Sequence, residues 1–309
     1  MIRRAYGHDP LYYAAEDDTG QRGMLPAFVV RRALFGTVVT SMPFLDGGGP
    51  CTASPLLAGR LIEHLVLQAE RAGAQAVELR SACRLPISVQ PAQHKVVLSL
   101  NLPSDADRLW RQLDKDVRNQ VRRAERCGLS IDAGGTANLA DFYAVLASRM
   151  RDLGSPVHAV GFLRAVADEF GDRARIILVR KGQTTVGGLM ALAFKDALVV
   201  PWSACLKEYF SLRPNMLLYW EAIRFACQQG FRRFDFGRST TGSGTYHFKR
   251  QWGAVEEPLF WYTILIRGRR SRSPERASAA AAAMSNLWRW LPIAVTRGLG
   301  PPIRKYFTE

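Results

Sequence analysis

The run from Arg173 to Gly237 constrains this chain more than any other part of it. Arg173 to Arg180 reads as a strand, Lys181-Gly182-Gln183 as a tight turn, Val186 to Phe194 as a second strand, Lys195-Asp196 as another turn, and Leu198 to Ser203 as a third strand. Branched apolar residues fill all three, and turns this short join antiparallel neighbours. A helix from Pro214 to Gln229, stopped by Gly230, then leads into the compact strand Arg233 to Gly237. Three strands, a helix and a strand predict a mixed α/β layer, not a doubly wound sheet of repeating βαβ units.

Upstream, Leu25 to Met42 reads as a hairpin turning near Gly36, and Asp46-Gly47-Gly48-Gly49-Pro50 breaks the pattern. A helix follows from Ser54 to Ala72, then short strands at Ala76 to Leu79, ending in an exposed Arg80, and at Lys95 to Leu100. One helix is predicted from Ser104 to Gly128, with Asp105 and Asp107 in its first turn. A strand at Leu129 to Asp132 and helices at Ala137 to Leu153 and Ala159 to Phe170 complete the inventory. A chain of 309 residues, 48% hydrophobic, can bury two cores. The expected division is a first unit over 1–130, a second over 131–266, and a basic linker and amphipathic tail over 267–309.

The net charge is +15, and nine basic residues against Glu275 and Glu309 place +7 of it in the last 43 residues. Such a surplus favours polyanionic partners, tRNA and anionic membrane surfaces among them. In the tail, Trp288, Trp290, Leu291, Ile293 and Phe307 lie among Arg289, Arg297, Arg304 and Lys305, a mixture suited to the headgroup region of a bilayer through residues 285–309. Pro292, Pro301 and Pro302 rule out one long helix there. Five scattered cysteines without a CxxC pair indicate neither a disulfide framework nor a metal site. The opening residues lack a signal-peptide pattern and no stretch reaches 18 apolar residues, so a cytoplasmic chain is expected, peripheral on the inner face of the membrane if the tail anchors it.

Chemistry concentrates after the Phe234-Asp235-Phe236 strand. The segment Gly237-Arg-Ser-Thr-Thr-Gly-Ser-Gly-Thr-Tyr-His-Phe-Lys-Arg250 is rich in glycine and hydroxyls, and Arg238 and Lys249 flank it. It reads as a substrate loop in which backbone N–H groups and the side chains of Arg238, Ser239, Thr240 and Ser243 hold an anion. The spacing of Gly237 and Gly242 imitates a nucleotide-hydrolase phosphate loop, but Ser243-Gly244 stands where that loop needs Lys-Ser/Thr. Asp235, in an apolar strand, is the candidate proton acceptor or the holder of Lys249 or Arg238. Tyr246 is the candidate oxyanion contact. Trp202 and Ser203 end the strand beside the central helix, where a splayed edge accepts an extended substrate arm. Arg213 and Asn215 bracket Pro214 at a helix start suited to phosphate. Lys115, Arg118, Arg122 and Arg126 share one helix face, a basic ridge for a polyanionic donor or lipid-linked acceptor, or simply a solvated face.

Several of these stretches together resemble the FemAB-like branch of the GNAT acyltransferases, in particular FemAB-related proteins of exopolysaccharide and exosortase (PEP-CTERM-associated) systems. They are Asn215 to Gly230, Phe234-Asp-Phe-Gly-Arg-Ser-Thr240 and Gly244-Thr-Tyr-His-Phe-Lys-Arg-Gln-Trp-Gly253, with Lys115 to Gly128 and Met150-Arg-Asp-Leu-Gly-Ser-Pro156 upstream. The resemblance spans about residues 25 to 265 and implies tandem GNAT-like units that transfer an acyl or aminoacyl group to an amine. Where the wider superfamily has an Arg/Gln-x-x-Gly-x-Gly/Ala turn, this chain has Ser211-Leu-Arg-Pro-Asn215, and its first unit is shorter than its relatives'.

The reading that follows is an N-acyl or aminoacyl transferase with Asp235, Lys249 and Tyr246 as catalytic candidates. Acyl-CoA or aminoacyl-tRNA is the donor, no metal takes part, and the acceptor is an amine of a saccharide or envelope precursor. The rival is a catalytically inactive, membrane-attached scaffold of a polysaccharide assembly system, since a fold can outlive its activity.

Overall fold

The computed structural model describes residues 1–32, 36–266 and 274–308. In chain order the elements are α1 (Ile2–Tyr6), β1 (Asp9–Glu16), β2 (Arg22–Arg32), β3 (Gly36–Thr40), α2 (Pro55–Arg71), β4 (Ala76–Ser81), β5 (Lys95–Asn101), α3 (Ala106–Gln112) and α4 (Lys115–Arg126). There follow β6 (Leu129–Gly134), α5 (Leu139–Asp152), α6 (Val160–Phe170), β7 (Ala174–Lys181), β8 (Thr184–Phe194), β9 (Ala197–Cys205), α7 (Pro214–Gln228), β10 (Arg233–Thr240), α8 (Gly244–Arg250), β11 (Val255–Pro258), β12 (Phe260–Leu265), α9 (Pro274–Trp290) and α10 (Ile293–Arg304).

The chain divides into two compact units, and both are discontinuous. The smaller comprises Ile2–Val96, Glu257–Ala283 and Pro302–Glu309; the larger comprises Val97–Glu256 and Met284–Pro301, with Met1. The expected boundary near residue 130 falls inside the larger unit, between α4 and β6, because α4 packs on α7 through Val117, Val121 and Ala124.

The smaller unit holds a five-stranded sheet in the order β1-β2-β3-β4-β12. The expected hairpin is the β2–β3 pair; β1 and β12, which the sequence reading left out, form the edges. Strand β3 runs parallel to β4, with α2 as the crossover. Ser54 caps α2 by accepting from the Leu57 amide at 3.2 Å, and Leu57, Leu61, Ile62 and Leu65 pack onto Leu25, Val29, Val39 and Leu79. Arg80, expected to be exposed, is only 3% accessible. It lies 4.7 Å from the Trp261 ring centroid and donates to the Leu45 carbonyl, so the residues around Asp46-Gly-Gly-Gly-Pro50 close over it.

The larger unit carries a seven-stranded sheet ordered β11-β5-β10-β9-β8-β7-β6. The three strands expected between Arg173 and Ser203 are β7, β8 and β9, antiparallel as their short turns require. The single helix expected over Ser104 to Gly128 is two, α3 and α4. Leu113 is extended (ψ 148°) and Asp114 caps a new helix by accepting from the Asp116 amide at 2.7 Å. The tail is likewise two helices, parted at Leu291-Pro292, and its charged linker over 267–273 lies outside the described residues.

Candidate functional site

Strands β9 and β10 are parallel neighbours for only three residue pairs, Arg233↔Ala197, Phe234↔Leu198 and Asp235↔Val199. Beyond them β9 continues to Cys205 and β10 to Thr240 with no further pairing between the two. Where the ladder ends, β9 also shifts register against β8. Met190 faces Trp202 and Leu192 faces Val199, so Val200 and Pro201 oppose Ala191 alone. Proline, which has no N–H to give, suits such a bulge, and the added twist turns β9 away from β10.

A residue that the sequence reading passed over spans this opening. Tyr219, on α7, stacks on Phe236 of β10 (5.6 Å between centroids, 19° between planes) and meets Phe248 of α8 edge-on. Its hydroxyl shares a 2.7 Å hydrogen bond with the Ser203 hydroxyl of β9. Burial pushes the phenol pKa up to about 12, partly opposed by the Ser203 bond, so it stays protonated at neutral pH. Ser203 itself is exposed. One signal lay in the sequence: Tyr219 is one turn into the helix and Ser203 lies near the end of the preceding strand.

The other expected site residues fall into three groups. In the first, Lys249 is 7% exposed and its ammonium donates to the carbonyls of Gly237 (3.0 Å) and Arg238 (2.7 Å). Asp235, half-buried, accepts from the Gly237 amide at 2.7 Å. Both therefore brace the bend of β10 at Gly237, whose φ of +72° is a glycine conformation.

In the second group, the expected anion-cradling loop is mostly regular structure. Strand β10 runs on to Thr240 and α8 begins at Gly244, because Ser243 caps it by accepting from the Tyr246 amide at 3.2 Å. The Ser243 amide donates to Thr240, so these amides are engaged within the chain. Tyr246 points its phenol at the Glu256 carboxylate, and that hydrogen bond raises its pKa. The Ser239 side chain is buried with no hydrogen-bond partner for its hydroxyl; Thr240 is exposed and Arg238 half-buried. Hollows of about 300 and 410 Å³ lie elsewhere in this unit, and no residue of 237–250 lines either.

The third group surrounds the start of α7. Arg213 precedes Pro214 in the left-handed region (φ +61°) and donates to the Gln120 side chain of α4 at 3.0 Å, while Asn215 is half-buried in the first turn. On α4, Lys115 and Arg122 are exposed, Arg122 lies over the Trp110 ring, and Arg118 donates to the Arg111 carbonyl. The structure thus ties α4 to the Arg213 turn and leaves its cations on the outer face. Trp202, half-buried, packs edge-on against Phe162 and His158. Among the described residues no group of His, Cys, Asp and Glu could hold a metal ion, and no helix is long and apolar enough to cross a membrane.

Comparison with known proteins agrees with this layout. Residues 111–250 match the family described as Acetyltransferase (GNAT) domain. Among solved structures, FemX superposes with a TM-score of 0.63 at 13% identity, covering 85% of this chain and 90% of FemX. A tandem GNAT protein from the clavulanic acid biosynthesis pathway gives 0.57 at 10% identity, covering 85% of each chain. The C-terminal domain (DUF2156) of a putative lysylphosphatidylglycerol synthetase from Agrobacterium fabrum gives 0.56 at 10% identity, covering 93% and 90%. No curated protein matches by sequence. Residues 111–250 therefore carry the likeness to the GNAT acetyltransferase domain, and the chain as a whole has the mixed α/β fold seen in FemX and in that tandem GNAT protein.

Proposed function

We propose that the protein transfers an acyl or aminoacyl group from a thioester or ester donor, acyl-CoA or aminoacyl-tRNA, to an amine of a cell-envelope or exopolysaccharide precursor. The observation that carries this reading is the parting of β9 and β10 after Val199 and Asp235, with the Ser203–Tyr219 hydroxyl pair at the opening. A donor's extended arm lies along β9 as an added strand, and Arg213 at the start of α7 meets its phosphates. Attack by the amine places negative charge on the carbonyl oxygen, which backbone N–H groups beside the opening stabilise. The amine then gives up a proton to solvent water, and the leaving group takes one from a donor that water reprotonates. Tyr219, held protonated, supplies that second proton through the exposed Ser203 hydroxyl. Asp235 and Lys249 act at one remove, by fixing the bend of β10, and Tyr246 by fixing α8 against Glu256.

Ser203→Ala and Tyr219→Phe are expected to lower kcat about ten- to a hundredfold, whereas Arg213→Ala raises the donor KM. Wild-type kcat in both hydroxyl variants, with melting curves intact, defeats the assignment. A purified chain that neither binds nor turns over either donor is the inactive scaffold instead.

A further inference from the structure

Helices α9 and α10 are built inside out. Between Met284 and Pro301, within the larger unit, the most deeply buried positions are small or polar, and Trp288, Leu291 and Ile293 are half-buried. A Cβ on Gly154 would meet Ser285, one on Gly300 would meet Val157, and Thr296 is 2% exposed. The large apolar side chains face water: Met284 and Leu287 at 65%, Trp290 at 87%, Leu299 at 50% and Val295 at 39%. Leu153 and Val160, at the two ends of the loop that seats these helices, add further exposed apolar surface. Soluble helices place such residues inward, so a face of this kind belongs against something apolar.

The charge pattern selects the occupant. Arg289 and Arg297 are exposed among these side chains, and from Met284 to Thr308 the sequence has no acidic residue at all. A second copy would bring two cationic faces together. An anionic bilayer supplies both what the arginines and the apolar groups need, with tryptophan at the headgroup level where it partitions best. We infer that the outer face of α9 and α10 is a membrane-docking surface, with Met284, Leu287 and Trp290 entering the headgroup boundary and Arg289 and Arg297 meeting lipid phosphates.

The same loop reaches the candidate site. His158 packs edge-on against Trp202 of β9, its carbonyl accepts from the Tyr143 hydroxyl, and Arg297 lies over the Tyr143 ring. Resting on the transfer reading, this placement suits an acceptor carried on a lipid.

The test is sedimentation of the full chain with vesicles of phosphatidylcholine alone and of phosphatidylcholine with about one-third phosphatidylglycerol. Wild type should pellet with the anionic vesicles only. Leu287→Ser with Trp290→Ala should weaken that partition about tenfold or more, and Arg289→Gln with Arg297→Gln should reduce it and remove its salt sensitivity. Far-UV spectra and melting points should match wild type, since all four side chains are exposed. Unchanged partition in both variants, no binding to either vesicle, or a self-association that Leu287→Ser with Trp290→Ala abolishes would each overturn the proposal. Because the readout is binding, such a failure leaves the transfer reading standing.

Discussion

Truncating Lys249 to alanine removes the ammonium that the Gly237 and Arg238 carbonyls accept from, deep in a packed corner. The expected cost is about 1–3 kcal/mol, read as a lower denaturation midpoint. Lost turnover in this variant therefore reports lost structure unless the midpoint is unchanged, in which case Lys249 belongs to the chemistry. His8 offers a second test at this scale. It is 5% exposed, its Nε2 has no hydrogen-bond partner, and burial lowers its pKa, with the Lys305 charge adding to that and a backbone bond to Lys305 opposing it. A histidine buried neutral gives stability that is complete above its unfolded pKa of about 6.5 and is lost as pH falls below that value toward the folded pKa. The melting point of wild type should drop between pH 7.5 and 5.5 more steeply than that of His8→Gln; parallel curves would show that the ring does not titrate with folding.

At the scale of elements, Gly154 decides whether α9 can dock. Its φ is +73° and a Cβ there would collide with the backbone and side chain of Ser285. Gly154→Ala is expected to free the tail while the sheet survives. Limited proteolysis should then cut within 267–309 faster, by about tenfold, with little change in the main melting transition; an equally resistant tail would show that α9 is held from elsewhere. Two element assignments fell to caps that compete with periodicity. Asp114 restarts a helix that the charge pattern ran straight through, and Ser243 converts seven residues of supposed loop into α8. Both caps are visible in sequence once the third or second following amide is sought as their donor. The parting of β9 and β10 is different, because a parallel pair joined by a helix has no local turn to announce its register.

For the whole molecule the distribution of charge matters more than its total. With +7 of the +15 in the last 43 residues, the remainder carries +8, including the outer face of α4 beside the Arg213 turn. Were tRNA the donor, it would contact many of these cations at once, and its affinity should fall by about a hundredfold or more between 50 and 200 mM salt. An acyl-CoA presents few charges and should respond weakly. Donor titrations at those two salt concentrations distinguish the cases, and Arg118→Gln with Arg122→Gln should flatten the salt slope only for tRNA.

What the amino-acid order determined on its own was local and periodic: three antiparallel strands with tight turns, the helix that ends at Gly230, the strand Phe234-Asp235-Phe236, and a tail broken at Pro292. Those signals act over a few residues, through turn geometry, caps and apolar spacing. The tertiary structure decided which side chains meet. Arg80 looks like a surface cation beside its neighbours in sequence, and is buried because Trp261, 181 positions later, lies over it. Tyr219 and Ser203 become one hydrogen-bonded pair only when α7 crosses back over the opened sheet. Lys249 reaches the Gly237 and Arg238 carbonyls because α8 packs on β10. Such outcomes depend on long-range packing and desolvation, whose partners no stretch of local sequence contains.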